Sequence, residues 1–176
     1  RVRRLSELII ERRLRMRFAF QGTLHNLSQD DLRLMHRAGF DCAMVGVESG
    51  SDAQLKRFRK AGSRNAIAGG IVRAKKANMV VIAFFIHGGP GETEEDAAET
   101  IRFIREVRPL VCGTEELMVF PESQLWSELV GEKLPQNTIE ASRGKMIYEF
   151  PGQLPKETID RRIREFRHAY ERSCLD

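Results

Sequence analysis

F-D-C-A-M-V-G-V, residues 40–47, is a nearly continuous apolar run, and a second such run, M-V-V-I-A-F-F-I, occupies residues 79–86. Short apolar runs of this kind are typical of parallel strands in α/β folds, which are covered on both faces. Two more strands are predicted at residues 14–20, where large apolar side chains take every second position, and at residues 117–120. The sequence therefore predicts about four strands in one sheet.

Helices are predicted between these strands, because the intervening segments have capping or stop signals. The predicted start signals are Ser28 and the capping pairs Ser51–Gln54 and Thr93–Asp96, and the predicted stop signals are Gly39, Asn78 and Pro109. Strict alternation of helices and strands implies right-handed crossovers and a parallel sheet, so the predicted fold class is α/β. A last amphipathic helix, opened by Pro155, is predicted as a C-terminal extension.

The composition is that of a globular protein, with 41% hydrophobic and 31% charged residues and a net charge of +4. Seven arginines stand in residues 1–17 without an RNP, zinc-finger or helix-turn-helix pattern, so nucleic acid is not the expected partner. No apolar run approaches the roughly 18 residues of a membrane span, which argues against membrane insertion. Cys42, Cys112 and Cys174 are too far apart for a disulfide framework, and the expected location is cytoplasmic.

Polar residues and glycines follow the predicted strands, at the ends where parallel α/β folds bind ligands. In V-G-V-E-S-G-S-D, residues 45–52, they include the carboxylate of Glu48 and the hydroxyls of Ser49 and Ser51. A carboxylate at this place can accept both hydroxyls of a ribose. The alternative interpretation is that Ser51 only caps a helix and that Glu48 pairs with a neighbouring arginine. The residues alone leave both interpretations open.

A glycine-rich turn, F-I-H-G-G-P-G-E-T, follows the next strand at residues 85–93. Free amides at a helix N-terminus can bind phosphate, but Pro90 removes a donor and Glu92 adds negative charge. A neutral ring or ligand backbone fits better than an anion, and the alternative is a tight turn whose glycines only satisfy backbone angles. The four histidines have no metal-ligand spacing, so no metal site is predicted, and His87 is expected to be a hydrogen-bonded structural residue.

Three motifs together, at residues 38–51, 55–63 and 88–96, resemble the radical S-adenosylmethionine (SAM) superfamily, most closely the branch with many cobalamin-binding members. They read A-G-F-D-C-A-M-V-G-V-E-S-G-S, L-K-R-F-R-K-A-G-S and G-G-P-G-E-T-E-E-D. The resemblance covers roughly residues 1–126 and implies a partial TIM-type (β/α)6 barrel. The domain prediction is therefore residues 1–126 as the C-terminal part of that barrel and residues 127–176 as an extension.

The resemblance also implies the cofactors and the residues that contact them. SAM and a [4Fe–4S] cluster would serve the intact enzyme, with cobalamin if an absent domain binds it. Glu48, Ser49 and Ser51 are implied contacts of the ribose or methionine part, whereas Ile86, Gly88, Gly89 and Glu92 are implied to lie along the adenosyl group. No catalytic residue is implied. The chain departs from its relatives at Thr23, at His87 and at residues 121–125, which puts contacts there in doubt.

The family's C-x-x-x-C-x-x-C motif is absent from residues 1–176, so the chain is expected to be a fragment that has neither cofactor bound and is inactive alone. The implied reaction of the intact enzyme is reductive SAM cleavage to a 5′-deoxyadenosyl radical, with a small molecule as the expected substrate. An exposed barrel edge at the first strand predicts self-association. The alternative is a non-catalytic α/β module that binds a nucleotide or a protein, and nucleic-acid modification also stays open.

Overall fold

The computed structural model describes residues 1–120, 123–129, 140–142, 145–147, 150 and 152–174. The elements in chain order are α1 (Val2–Glu11), β1 (Phe18–Gln21), α2 (Gln29–Arg37), β2 (Phe40–Glu48), α3 (Asp52–Arg57), α4 (Arg64–Lys76), β3 (Val80–His87), α5 (Glu94–Val107), β4 (Val111–Glu116), α6 (Gln124–Leu129), β5 (Glu140–Ser142), β6 (Lys145–Ile147) and α7 (Lys156–Ser173). The first four strands form one parallel sheet in the order β1-β2-β3-β4. This confirms the predicted α/β fold class.

The two faces of the sheet differ in burial. On β2, Ala43, Val45 and Val47 are buried in the core that the helices share, whereas Met44 and Gly46 are only partly covered. We call the second face the open face. Aligned positions of parallel strands point to one side, so the register Gly46–Phe84–Gly113 places these three residues together on the open face. The prediction that the strands are covered on both faces is therefore wrong for the described part of the chain.

Two strand predictions need correction. The first strand begins at Phe18, and Leu14 and Met16 before it are 48% and 58% exposed. The fourth strand is residues 111–116, V-C-G-T-E-E, which lacks an apolar alternation. The apolar residues Leu117 and Val119, which suggested a strand, instead join a small cluster with Trp126 and Phe150.

Most capping predictions are confirmed. Ser28 and Thr93 accept hydrogen bonds from the third helical residue of α2 and α5, and Gly39 and Asn78 have φ values of 101° and 62°. The prediction for Ser51 is confirmed in position, because Ser51 is the N-cap residue of α3, but the predicted cap bond is absent and the Ser51 hydroxyl donates to Asp96 at 2.5 Å. The Ser51 side chain therefore ties the loop after β2 to α5.

The last helix, α7, packs on the helix-covered face of the sheet. Its Phe166 is 1% exposed and its ring lies 4.8 Å from the ring of Phe85, centroid to centroid. Phe166 and Ala169 belong to the same core cluster as β2 and β3. The division of the chain at residue 126 stays a prediction, and α7 contributes to the core on the other side of that division.

Two further features concern the sheet edges and the extension. β1 lies at one edge of the four-stranded sheet, as the self-association prediction requires. β5 and β6 form a separate antiparallel pair in the extension. Among the described residues, no helix combines the length and the apolar character needed to cross a membrane.

Candidate functional site

The loop after β2 and the glycine-rich turn after β3 lie next to each other, because β2 and β3 are neighbours and run in parallel. A Cβ atom at Gly89 would come within 2.5 Å of the Gln54 side chain, which follows β2, and within 2.7 Å of the Phe58 ring. We call Glu48, Ile86 and the turn at residues 88–92 the rim site. The two segments singled out from the sequence thus share the carboxyl ends of adjacent strands.

Glu48 ends β2 in a left-handed conformation, with φ of 68°. Its carboxylate accepts a hydrogen bond from Lys60 Nζ at 2.9 Å, and both side chains are about one-fifth exposed, 21% and 19%. A Cβ atom at Gly46 would meet Glu48 Oε1 at 2.4 Å, so the carboxylate occupies the space that a side chain at Gly46 would need. The ion pair therefore lies over the open face, and its cation is a lysine rather than the arginine considered from the sequence.

The two serines after Glu48 point into the protein. Ser49 is 1% exposed and its hydroxyl shares a hydrogen bond with that of Thr100, while Ser51 is 1% exposed and donates to Asp96. Burial alone would raise the pKa of Asp96, but the hydrogen bonds from Ser51 and then from Thr93 outweigh it, so the pKa of this carboxyl is lowered. In the described structure both hydroxyls are engaged in fixing the loop against α5.

Ile86 has its side chain half-buried against the small apolar cluster of Leu117 and Trp126. Gly88 and Gly89 are buried, and Gly88 has φ of 81°. Glu92 is 5% exposed and accepts hydrogen bonds from the amide of Gly88 at 2.9 Å and from Arg162 Nη1 at 2.7 Å. Burial raises the pKa of Glu92, although the Gly88 amide and the Arg162 guanidinium oppose the rise.

Arg162 of α7 is the residue of this region that the sequence interpretation missed. It is 3% exposed, which is rare for an arginine unless it is paired. A signal was present: residue 162 stands three positions after Ile159 and four before Phe166, on the same apolar stripe of α7. A charged residue on the buried stripe of a helix predicts a buried partner of opposite charge.

His87 is the last residue of β3, and its side chain points to the helix-covered face of the sheet. It is 2% exposed, and its ring meets the Phe166 ring edge-on at 5.3 Å. Burial, with the nearby Arg162 charge as the second cause, lowers the pKa of His87 from 6.5 to about 4. Neither ring nitrogen has a hydrogen-bond partner among the described residues, so the expected hydrogen-bonded role is not what the structure has.

We expect substitution of His87 by leucine to remove part of the acid sensitivity of the protein. A histidine whose folded pKa lies below its unfolded value adds stability above pH 6.5 and loses it as the pH falls toward 4. The loss attributable to His87 is about 3 kcal/mol at most. Urea unfolding at pH 7 and pH 5 measures the part of this loss that falls above pH 5, about 2 kcal/mol, and an equal acid loss in wild type and His87→Leu would contradict the expectation.

A cavity of about 640 Å³ borders the rim site between α3, Pro90 of the turn and α6. Its lining includes Lys56, Arg57, Pro90 and Leu125. A second cavity of about 580 Å³ lies at the amino ends of β1 and β2 and is lined by arginines 13, 15, 17 and 37 among others. Ligands of parallel α/β folds bind at the carboxyl ends of strands, which favours the first cavity.

The cysteines do not form a cluster-binding group in the described structure. Cys42 and Cys112 stand near the amino ends of β2 and β4, and Cys174 follows α7. Burial, with Cys174 as the second cause, raises the pKa of Cys112 to about 12, whereas metal ligation requires the thiolate. Within the described residues, no group of three or more histidine, cysteine or acidic side chains could hold a metal ion.

A family model described as the Radical SAM superfamily matches residues 1–104. A tRNA-2-methylthio-N(6)-dimethylallyladenosine synthase of Mycobacterium leprae is 28% identical over 74% of this chain and 21% of its own length. The threonylcarbamoyladenosine tRNA methylthiotransferase MtaB of Bacillus subtilis is 38% identical over 46% of this chain and 17% of its own length. The chain thus spans about a fifth of the length of these relatives.

Solved structures of two enzymes have the same fold. The radical S-adenosylmethionine methyltransferase TsrM of Kitasatospora setae, with cobalamin and a [4Fe–4S] cluster bound, is 18% identical with a TM-score of 0.65, over 72% of this chain and 27% of that one. Coproporphyrinogen III oxidase HemN of Escherichia coli is 13% identical with a TM-score of 0.69, over 98% of this chain and 37% of that one.

Proposed function

The chain belongs to the radical SAM superfamily, and from this premise we propose that its rim site holds the adenosyl part of SAM in an enzyme that uses SAM and a [4Fe–4S] cluster. One observation carries the proposal: the Glu48 carboxylate and the glycine-rich turn stand at the carboxyl ends of adjacent parallel strands. In this family SAM, when bound with the cluster, supplies a 5′-deoxyadenosyl radical. The part of the protein is to orient SAM.

The described residues fit a nucleoside in two ways. The Glu48 carboxylate is partly exposed and keeps acceptor capacity beyond its bond to Lys60, which suits the two hydroxyls of a ribose. The half-buried side chain of Ile86 and the turn that starts at Gly88 offer an apolar contact and close backbone approach to an adenine. We assign Ser49, Ser51 and Glu92 the role of shaping these two segments, because their polar atoms are buried in internal bonds.

The same residues do not fit a [4Fe–4S] cluster. None of Cys42, Cys112 and Cys174 follows the carboxyl end of a strand, and Cys112 is held as a thiol. We therefore assign no reaction step to a cluster on residues 1–176 and propose that these residues alone do not generate the radical. The division into a barrel part, residues 1–126, and an extension belongs to the same proposal.

The names of the relatives widen the candidate substrates beyond the small molecule expected from the sequence. A small molecule remains a candidate, but two relatives are tRNA-modifying enzymes by name, and a third, from Treponema denticola, is named as a methylthiotransferase of ribosomal protein uS12. The earlier expectation against nucleic acid therefore has no support from the relatives. Cobalamin as a further cofactor stays a proposal, suggested by structural neighbours that bind it.

Titration of ¹⁵N-labelled protein with adenosine and with 2′,3′-dideoxyadenosine tests the proposed site. We expect amide shifts at residues 86–89, and we expect Glu48→Gln to weaken adenosine binding about tenfold, because a hydrogen bond to a charged group contributes about 1.5–3 kcal/mol. Dideoxyadenosine, which lacks the ribose hydroxyls, should bind wild type and Glu48→Gln equally.

Glu165→Gln is the matched control, since Glu165 is an exposed carboxylate of α7 paired with Arg161. Its affinity for adenosine should equal that of wild type. The proposal would fail if adenosine shifted only amides near the arginine-lined cavity, residues 9–17, or if it shifted none.

A further inference from the structure

A buried ion pair connects the C-terminal helix to the glycine-rich turn. Arg162 Nη1 of α7 lies 2.7 Å from Glu92 Oε2, and each of the two side chains is only 3% exposed. The same nitrogen lies 3.4 Å from the Glu92 carbonyl oxygen, and Nη2 lies 3.1 Å from Glu94. One guanidinium therefore binds the turn and the start of α5 together.

The carboxylate of Glu92 connects Arg162 to the backbone of the turn. Its Oε2 accepts from the Gly88 amide at 2.9 Å, while the Glu92 amide donates to the Gly89 carbonyl at 3.0 Å. Gly88 itself is in the left-handed region, with φ of 81°, which glycine adopts without steric cost. The shape of the turn thus depends on a charged side chain that is stable in its buried place only beside Arg162.

A second contact of α7 reinforces the first. A Cβ atom at Gly88 would meet Ile159 Cδ1 at 2.9 Å, and Ile159 stands one helical turn before Arg162. On the other side, the Arg57 guanidinium donates to the Gly91 carbonyl at 2.7 Å. The turn therefore lies between α7 and α3, and α7 provides its only buried cation among the described residues.

We propose that Arg162 is a positioning residue of the rim site, holding the turn at residues 88–92 in the shape that receives an adenosyl group. The inference rests on the proposed function and extends it to α7, which the family match at residues 1–104 does not include. Without the guanidinium, Glu92 is a buried charge without its cation, and such a charge is costly enough to become protonated or to move toward water. Either change removes the charged acceptor of the Gly88 amide.

The test compares Arg162→Gln and Arg162→Lys with Arg161→Gln. Lysine keeps the charge but cannot reach Glu92 and Glu94 together as the planar guanidinium does. Arg161 is the matched control, because its bonds to Glu94 and Glu165 are exposed. The readouts are the ¹H–¹⁵N shift of the Gly88 amide and the affinity for S-adenosylhomocysteine.

We expect the Gly88 amide to move most in Arg162→Gln, less in Arg162→Lys and not in Arg161→Gln, with amides of Gly22 and Gly152 unchanged. Affinity should fall in the same order, by about tenfold for Arg162→Gln, which corresponds to about 1.4 kcal/mol. If Arg162→Gln does not fold, Arg162→Lys carries the comparison. A folded Arg162 variant with wild-type Gly88 shift and affinity would overturn the inference.

The two proposals fail separately. If the wild-type protein binds no S-adenosylhomocysteine, the proposed function is wrong, yet the Gly88 amide still reports whether Arg162 holds the turn. If the wild-type protein binds S-adenosylhomocysteine but the Gly88 amide shift does not change in the Arg162 variants, the proposed site is supported and the positioning role of Arg162 is wrong.

Discussion

Alanine in place of Gly50 is expected to lower the free energy of unfolding by about 3 kcal/mol. Gly50 follows Glu48 and Ser49 in the loop after β2, and its amide donates to the Thr100 hydroxyl at 3.0 Å. A Cβ atom there would lie 2.6 Å from Thr100 Cα and from Phe103 Cβ, and 2.9 Å from the Glu99 carbonyl oxygen. Since most of these are atoms of the α5 backbone or fixed to it, the helix itself must move. Urea unfolding measures the change as a shift in midpoint.

Gly22→Ala is the matched control for this substitution. A Cβ atom at Gly22 would have nothing within 4 Å, and its backbone is not in the left-handed region. Its stability should therefore stay within about 0.5 kcal/mol of wild type. Equal midpoints for Gly50→Ala and Gly22→Ala would show that the loop does not depend on close approach to α5.

Alanine in place of Phe166 is expected to cost about 3–5 kcal/mol, the usual range for deleting a buried phenyl ring. Phe166 is 1% exposed and its ring packs against those of Phe85 and His87, with centroid distances of 4.8 Å and 5.3 Å. Because this core is shared with β3, the whole described fold should be destabilised rather than α7 alone. The measurement is urea unfolding followed by circular dichroism and by fluorescence of the single tryptophan, Trp126, which is 4% exposed.

His168→Ala is the control, because His168 is an exposed residue of the same helix. It should leave both transitions where they are in wild type. In Phe166→Ala the two signals should shift together to lower urea. If helix signal is lost while the Trp126 transition stays in place, α7 unfolds as a separate unit and the shared core is not cooperative.

Much of the fold could be predicted because it depends on local patterns. The apolar runs at residues 40–47 and 79–86 predict strands from their own residues. Ser28 and Thr93 act through cap bonds within a few residues, and Gly39 acts through its own backbone conformation. The fourth strand could not be predicted in this way. Its sequence, V-C-G-T-E-E, has no apolar period, because Gly113 makes room for the Phe84 ring, which a Cβ there would meet at 2.5 Å.

The candidate site divides along the same line. Glu48 and the turn at residues 88–92 are recognisable because carboxyl ends of parallel strands collect polar residues and glycines. The environments of these residues could not be predicted, because their burial and their bonding partners come from elements distant in the chain. Ser51 looked like a helix cap and is bonded to Asp96, 45 residues away, and Glu92 takes its cation from residue 162.

By itself the sequence determined the family, the order of helices and strands, and the two segments that meet at the rim, because periodicity, capping and motif spacing are properties of neighbouring residues. Only the tertiary structure decided which polar atoms remain accessible there: Glu48 stays partly exposed, whereas Ser49, Ser51 and Glu92 are buried. The physical reason is that solvent exposure and charge pairing depend on what packs from outside the segment. Here that is α5 and α7, whose contacts span 42 to 70 residues of chain.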